Sequence, residues 1–535
     1  MQIPPKLRIA LCVLVFAFVV FHCFFTGLDR FGFVGPDEPR YASIAREMSR
    51  SGDWVTPRLS GSPWFEKPPL YYWSAAIGFD LTSNPEVAAR APSGAIALLA
   101  VLALMLCARW LYGAPTAFAL GVMLPATVGM VGFARAAATD MPFTAALTLA
   151  MSAAAYLLLG DAPRFTRTFF AAFGISLALA VLAKGPAAIL LTGGSIALWA
   201  LATGNLRRSF RLFNPVATLS FCAVALPWYW LCAARNPEFL RVFFLEHNVE
   251  RFLTNRYQHQ QPFWFFVPIL LLAVFPWTLL LIPAASDALG LFRSGAWRKS
   301  PAVFFASWVF FPLVFFSASQ SKLPGYILPA VPPLVLLLAR VFVGGEKAAP
   351  SPRAAQFWVA TTLLLAGTVP FGAATFLAHS AARRSYWQLP GLDPVLHAIG
   401  TALLAGGIAA IAAGLWRRPM VSAVAVSIVL SFSVGVAANH ILPLADSAIS
   451  SRQFSYAVRD RAGSSGITVY QIPRARQLGC EFYLDRPLLD WTPQMTHPGW
   501  VITTLNGGED LKARGLRLEP MVHTPDSGAF LFRVE

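Results

Sequence analysis

Long apolar stretches separated by short polar ones dominate the sequence up to about residue 441. Many of these stretches reach roughly 20 residues, the length that crosses a bilayer as a helix. The pattern therefore predicts a polytopic α-helical membrane protein with about thirteen transmembrane helices. The predicted starts of these helices are Ile9, Ala91, Pro115, Met141, Thr168, Pro186, Leu212, Pro262, Pro301, Pro324, Phe357, Leu396 and Met420.

The polar interruption between the first two predicted spans, residues 28–90, has a pattern of its own. Tyr41, Ile44, Ala45 and Met48 recur at helical spacing, and charged residues, Arg40 among them, lie opposite. This periodicity predicts an amphipathic helix that lies along the membrane surface. Its density of charge indicates chemistry at the interface rather than a solvated loop.

The pattern changes again after about Leu442. Short apolar runs at 467–472, 500–505 and 530–534 alternate with polar stretches that have a helical character. These runs predict a small α/β domain over residues 442–535, next to a membrane domain over residues 1–441.

Composition supports the membrane assignment and gives its orientation. Of 535 residues, 56% are hydrophobic and 13% are charged, whereas soluble domains contain about 25% charged residues. Basic residues such as Arg109, Arg207 and Arg417 fall in every second loop, which places these loops and the N-terminus in the cytoplasm. The loop 28–90 and the C-terminal domain then lie outside. This bias accounts for most of the net charge of +16, so a nucleic-acid partner is not expected.

Three further features exclude classes of protein. The first apolar stretch is longer than a signal-peptide core and lacks a convincing cleavage site, so we expect a retained anchor. Five of the six cysteines lie in predicted spans and only Cys480 lies in the tail, so no disulfide framework is expected. The absence of a glycine-rich phosphate loop argues against an ATP-driven pump.

The predicted topology brings carboxylates and cations together on the outer face. Outer lysines in short turns run against the positive-inside bias, and an anionic ligand is one reason for them. Each residue also has a plain structural interpretation, because a carboxylate stabilises a helix start and a lysine reaches lipid headgroups. The candidates are Asp37, Glu38, Glu66, Lys67, Asp140, Lys184, His247, Arg251, Arg256, Lys322 and Tyr326.

Carboxylates and cations at one membrane face suit a reaction on phosphate-bearing lipids, in which cations hold phosphates and a carboxylate assists transfer. Glu66 and His247 could together bind a divalent metal such as Zn²⁺ or Mg²⁺. Their spacing is not characteristic of a metal site, which favours ordinary polar contacts, and no cofactor is required.

Four segments carry a family resemblance: DEPRYA at 37–42, SGDW at 51–54, FEKPP at 65–69 and KLPGYILP at 322–329. They resemble the bacterial 4-amino-4-deoxy-L-arabinose lipid A transferases. These are membrane glycosyltransferases of the GT-C fold, related to the protein O-mannosyltransferases. The resemblance covers most of the membrane part and is weakest after about Phe357 and in the tail.

The resemblance implies a reaction and roles for particular residues. Such enzymes transfer the aminosugar from undecaprenyl phosphate to a lipid A phosphate at the periplasmic face of the inner membrane. The less anionic product binds polymyxin and other cationic peptides less well. Asp37 and Asp140 inherit catalytic roles, and Glu38, which carries part of the motif, is a third catalytic candidate. The residues that inherit or are candidates for substrate and phosphate contacts are Lys67, Lys184, Arg251, Arg256, Lys322 and Tyr326.

Several alternatives stay open. A lipid A phosphate has a second pKa near about 6 and is already a nucleophile, so Asp37 acts as a base, orients the sugar or steadies charge at its anomeric carbon. A paralogue would transfer another polyprenyl-phosphate-linked sugar to a protein or glycan. A lipid transporter is less favoured because the charges gather at one face and no halves repeat. We expect a monomer.

Overall fold

The computed structural model describes residues 4–160, 164–243, 246, 261–344, 352–381, 392–416, 418–463, 465–495, 499–523 and 528–534. Within them, a helical membrane part is followed by a five-stranded sheet. The helices are α1 (Pro5–Val20, extended by a π-helical turn Phe21–Phe25), α2 (Asp37–Ser51), α3 (Leu70–Leu81), α4 (Pro85–Tyr112), α5 (Ala114–Met123), α6 (Val128–Ala134), α7 (Asp140–Leu159), α8 (Thr166–Lys184), α9 (Ala187–Thr203), α10 (Leu206–Ser209), α11 (Pro215–Arg235), α12 (Phe266–Ala273), α13 (Leu281–Arg293), α14 (Ala302–Ala318), α15 (Val331–Val343, preceded by the 3-10 helix Pro324–Ala330), α16 (Pro352–Ala381), α17 (Leu392–Leu415), α18 (Pro419–Val436), α19 (Leu442–Ile449), α20 (Arg452–Ala462), α21 (Arg474–Leu484) and α22 (Leu505–Ala513).

The apolar helices confirm a multi-pass membrane protein. Among the described residues, eight helical segments are long and apolar enough to cross a bilayer, and two bent pairs would raise this number to ten. Three further apolar helices are shorter, at 10–17 residues. Every predicted span start lies within or just before one of these elements. The structure supports at least eight spans, and the number thirteen stays a prediction.

Two of the membrane helices are broken, and the breaks contact each other. The α5–α6 pair bends by 60°, and the α12–α13 pair bends by 108°. At the junction, the Val128 backbone N–H donates to the Phe275 carbonyl at 3.1 Å. The Trp277 indole N–H donates to the Met123 carbonyl at 3.0 Å. Backbone groups freed at a break need protein partners inside a membrane, and here each break supplies partners for the other.

The amphipathic helix expected in the first polar segment is α2. Its buried face packs on α3 through Tyr41, Ile44, Ala45 and Met48. It ends at Gly52, whose φ of 68° is the left-handed conformation common after a helix. The short strands β1 (Arg58–Leu59) and β2 (Ser62–Pro63) pair as a hairpin beyond it. This packing fixes the direction in which the start of α2 points.

The C-terminal part is a mixed sheet with helices against it. The strands are β3 (Ile467–Tyr470), β4 (Leu489–Asp490), β5 (Trp500–Thr503), β6 (Leu518–His523) and β7 (Phe530–Val534), in the order β4-β3-β5-β7-β6. β3 is parallel to β4 and β5, whereas β7 is antiparallel to β5 and β6. The apolar helical run from Pro419 continues to Ile449, so residue 442 falls inside a helix.

Hydrogen bonds fasten this sheet part to the segment that leads into α2. The Phe33 backbone N–H donates to the Tyr483 hydroxyl, which donates to Glu86, both at 2.8 Å. The Gly32 N–H donates to Asp446 at 2.7 Å. Because these groups are buried and paired, the C-terminal part of the protein holds in place the segment that leads to Asp37.

Candidate active site

A row of alternating charges begins at the first residue of α2. Asp37 accepts a hydrogen bond from Arg40 at 2.5 Å, and the other side of the same guanidinium lies 3.2 Å from Glu66. Glu66 in turn lies 3.8 Å from the Lys67 ammonium. Arg40 is buried and Glu66 is largely buried, whereas the Asp37 side chain is 53% exposed. Asp37 is therefore the member of the row most open to a substrate.

The surroundings make Asp37 more basic than an ordinary aspartate. Desolvation by the surrounding protein raises its pKa most, and the negative charges of Glu66 and Asp140 raise the pKa further. Arg40 and Lys67 act in the opposite direction. The contribution of Asp140 also shows that this second carboxylate, from another helix, lies in the same electrostatic environment.

Asp140 is the first residue of α7, and it pairs with the last residue of α8. The Lys184 ammonium donates to the Asp140 carboxylate at 2.6 Å. The same ammonium lies 5.1 Å from the Tyr326 ring centroid, within the range of a cation–π contact. The fold thus brings together three predicted site residues that are far apart in the chain.

Gly325 allows the 3-10 turn that contains Tyr326 to approach Asp140 closely. A Cβ atom at Gly325 would lie 2.3 Å from an Asp140 carboxylate oxygen and 2.9 Å from the Phe133 ring. Only glycine permits so close an approach between the 3-10 turn and the start of α7. The motif containing Lys322 and Tyr326 therefore borders Asp140 through its glycine.

Glu38 is bonded differently from its neighbour Asp37. It is 8% exposed. Its carboxylate accepts two hydrogen bonds from Arg90, at 3.0 and 2.6 Å, and one each from the backbone N–H groups of Val34 and Ala137, both at 2.8 Å. Each oxygen thus receives two donors, which uses the usual capacity of a carboxylate. Glu38 joins the start of α2 to the loop before Asp140.

The remaining predicted residues divide into two groups. Lys322 is buried, and its ammonium donates to the Ser319 carbonyl at 2.6 Å within its own turn. His247, Arg251 and Arg256 lie outside the described residues. The metal pairing of Glu66 with His247 and the phosphate roles of the two arginines therefore stay predictions. Within the described part of the chain, no cluster of three His, Cys, Asp or Glu residues could hold a metal ion.

Sequence reasoning misplaced Arg40. Its position on the helical wheel suggested the polar face, but the side chain is buried between two carboxylates. The i, i+3 spacing from Asp37 was the available signal. Beside it, the buried Tyr72 hydroxyl and Trp64 indole N–H have no hydrogen-bond partner among the described residues.

A cavity of about 480 Å³ opens next to Glu66. Its walls include Trp64 and Phe65, which offer flat apolar surfaces, and Arg235 and Asn236, which offer hydrogen-bond donors. Aromatic faces with a few polar groups are typical of small-molecule sites. The row of charges from Asp37 thus leads into a space that could receive a sugar.

Comparison with solved structures identifies the fold formed by the membrane helices and the C-terminal sheet. ArnT from Cupriavidus metallidurans bound to undecaprenyl phosphate superposes with a TM-score of 0.77 at 22% identity, covering 99% of this chain and 98% of that one. Its apo form gives a TM-score of 0.78, covering 98% of both chains. The chain therefore has the GT-C fold of ArnT.

Sequence comparisons agree. Residues 9–243 match the family model described as dolichyl-phosphate-mannose-protein mannosyltransferase. The undecaprenyl phosphate-alpha-4-amino-4-deoxy-L-arabinose arabinosyl transferase of Pseudomonas aeruginosa (strain UCBPP-PA14) is 33% identical over 62% of this chain and 59% of its own length. The Aeromonas salmonicida enzyme of the same name is 34% identical over 58% of this chain and 56% of its own. The matches thus span less than two thirds of these relatives, and they confirm the resemblance indicated by the motifs.

Proposed function

We propose that this protein transfers 4-amino-4-deoxy-L-arabinose from undecaprenyl phosphate to a phosphate of lipid A. The observation that carries the proposal is the meeting of two carboxylates, Asp37 and Asp140, with the cations Arg40 and Lys184 in one site. The proposal is supported by the names of the relatives, by the ArnT fold and by the cavity next to Glu66.

In the proposed reaction, a lipid A phosphate oxygen attacks the anomeric carbon of the sugar. The bond from that carbon to the donor phosphate oxygen breaks, and its electron pair leaves with undecaprenyl phosphate. Lys67 and Lys184 stabilise the negative charge that grows on this leaving group. Attack and departure on opposite sides of the carbon give a single displacement with inversion.

The two motif carboxylates then have different tasks. Asp37, exposed and more basic than usual, faces the sugar and either binds its amino group or steadies positive charge at the anomeric carbon. Glu38 is a positioning residue, because its hydrogen bonds to Arg90, Val34 and Ala137 occupy both oxygens. We therefore propose a positioning role for Glu38 in place of the catalytic role that the resemblance implied.

We further propose that the protein lies in the bacterial inner membrane, with the site and the sheet part in the periplasm. The basic loops on the other side support this orientation. Single cysteines at Ser62 and Asn506, in a variant without the native cysteines, should react with an impermeant thiol reagent added from the periplasmic side. Labelling from the cytoplasmic side alone would contradict the proposed orientation.

The test of the reaction is mass spectrometry of lipid A from cells with and without the protein. We expect a mass increment of one aminoarabinose that disappears in Asp37→Asn, together with a lower resistance to polymyxin. Protein levels in the membrane provide the control. Unmodified lipid A in cells that make both the donor and the protein would contradict the proposal.

A protein acceptor is the second candidate, because the family model matching residues 9–243 is named for protein mannosyltransferases. Purified protein supplied with labelled donor and either lipid A or membrane proteins separates the two. Label in lipid A supports the first proposal, and label in protein alone supports the second.

A further inference from the structure

A second cavity lies between the C-terminal sheet and the segment that leads into α2. It has a volume of about 520 Å³, within the usual range for small-ligand sites of about 300–1,000 Å³. We call it the sheet-edge cavity. Its described lining residues are Phe33, Gly35, Ala448, Ile449, Ser451, Ile472, Pro473, Ala475, Arg476, Thr504, Gly528 and Ala529.

The cavity lies at the edge of the sheet where ligands most often bind. Ile472 and Pro473 follow the carboxyl end of β3, and Thr504 follows the carboxyl end of its parallel neighbour β5. From β3 the chain crosses to β4 on one side, whereas from β5 it continues to β6 and β7 on the other. A crevice at the carboxyl ends of parallel strands whose connections diverge is the usual ligand position in α/β sheets.

The described lining carries one cation and no carboxylate. Both terminal nitrogens of Arg476 donate to backbone carbonyls, those of Ala448 and Ser450, so these bonds hold the guanidinium in place without neutralising it. The hydroxyl groups of Ser451 and Thr504 stand in the same wall. A fixed cation, hydroxyls and apolar surface together favour an anionic polar molecule such as a phosphorylated sugar.

The walls of the cavity are held together before any ligand arrives. An isolated β-bridge joins Val34 to Ser450. The Tyr483 hydroxyl bonds both Phe33 and Glu86, and Arg452 donates to the Asp29 carbonyl at 2.8 Å. A preformed site avoids the ordering cost that binding would otherwise carry.

Asp37 lines neither the sheet-edge cavity nor the cavity next to Glu66, but it is close in the chain or through a shared partner to a residue that lines each. Gly35, two residues before Asp37, lines the first. Glu66, which shares Arg40 with Asp37, lines the second. A displacement reaction needs two substrates that meet at one carbon, and a carboxylate linked to the walls of both cavities suits that need.

We infer that the sheet-edge cavity binds the phosphorylated sugar head group of the acceptor lipid, while the donor sugar occupies the cavity next to Glu66. The inference rests on the proposed function and adds to it the place where the acceptor is recognised. The acyl chains of the acceptor lipid stay in the bilayer, and the C-terminal sheet part binds the head group of the acceptor.

The test fills the cavity without removing a polar contact. Ala475→Trp places an indole in the space, and Ala475→Leu adds less volume and keeps the test open if the larger variant does not fold. Ala513→Trp, at an exposed position of α22, is the matched control. With lipid A and donor varied separately, we expect the KM for lipid A to rise about tenfold or more, with the KM for donor and kcat nearly unchanged. An unchanged KM for lipid A in a folded, cavity-filled variant would overturn the inference.

A binding experiment separates this inference from the proposed reaction. Fluorescent lipid A should bind purified wild-type protein and Ala513→Trp equally, and Ala475→Trp more weakly. Equal binding to all three would overturn the inference whether or not sugar is transferred. Bound lipid A without transfer would contradict the proposed reaction alone. Complete displacement of lipid A by an equal concentration of inorganic phosphate would identify a free-phosphate site and overturn the head-group assignment.

Discussion

The carboxylate of Asp140 and the ammonium of Lys184 are 2.6 Å apart, and they join the first residue of α7 to the last residue of α8. An anion at a helix N-terminus and a cation at a helix C-terminus are each favoured by the helix dipole. The pair is therefore stabilised by both helices as well as by its own charges. It holds a cation beside the Tyr326 ring in a fixed position.

Lys184→Met should lower the rate of sugar transfer about ten- to a hundredfold. A hydrogen bond between charged groups contributes about 1.5–3 kcal/mol, and in the proposed reaction its loss also removes a cation that stabilises the leaving group. Lys184→Arg should recover part of the rate, because the charge remains but its donors are placed differently. Initial rates with purified donor and lipid A measure both. A methionine variant as fast as wild type would exclude Lys184 from the reaction.

Gly325→Ala should inactivate the protein through Asp140. The new methyl group would lie 2.3 Å from the Asp140 carboxylate oxygen, so the carboxylate or the turn must move. Gly132→Ala is the matched control, because a Cβ there meets nothing within 4 Å. We expect transfer activity to fall at least about tenfold in the first variant and to persist in the second. Equal activities would show that the position of Asp140 tolerates this shift.

Substitutions of Arg40 and Glu66, two charged residues near Asp37, should shift the pH dependence of transfer in opposite directions. If transfer needs ionised Asp37, activity falls as the pH drops through its raised pKa. Arg40→Gln removes a positive charge that lowers this pKa, so the acidic limb should move to higher pH. Glu66→Gln removes a negative charge that raises the pKa, so the limb should move to lower pH. Profiles of kcat/KM against pH for the variants and wild type measure the shifts. An acidic limb at the same pH in all three proteins would mean that another group titrates.

Lys67→Ala should impair use of the donor more than use of the acceptor. We expect a loss of about ten- to a hundredfold in kcat/KM for undecaprenyl-phosphate sugar, because in the proposed reaction the ammonium faces the phosphate on which charge grows. Steady-state kinetics with each substrate varied in turn provide the measurement. An effect confined to lipid A would mean that the two phosphates are assigned the wrong way round.

Glu38→Gln should lower the stability of the folded protein and not only the rate of sugar transfer. The Arg90 guanidinium is fully buried and would lose its carboxylate partner, a change that typically costs about 3–5 kcal/mol. Glu509→Gln, at an exposed position, is the control. Thermal unfolding in detergent should show a clearly lower midpoint temperature for Glu38→Gln and an unchanged midpoint temperature for Glu509→Gln. A stable but inactive Glu38→Gln would return Glu38 to a catalytic role.

The membrane class, the helix at residues 37–51 and the resemblance to ArnT were accessible from the sequence, because apolar length, helical period and local motifs are properties of short segments. The burial of Arg40 was not, since it depends on Glu66, which reaches it only through tertiary packing. The same holds for Glu38, whose role depends on Arg90 from α4 and Ala137 from the loop before α7. Contacts between distant segments leave no periodic pattern.

The paired helix breaks have a consequence for biosynthesis. Val128 is made long before Phe275, the residue whose carbonyl accepts its hydrogen bond. At about 5–20 residues per second, the first break waits on the order of ten seconds for its partner to be synthesised. During that interval its exposed backbone must be shielded by something other than its final neighbour, such as the insertion machinery, or the segment must enter the bilayer straight and bend later.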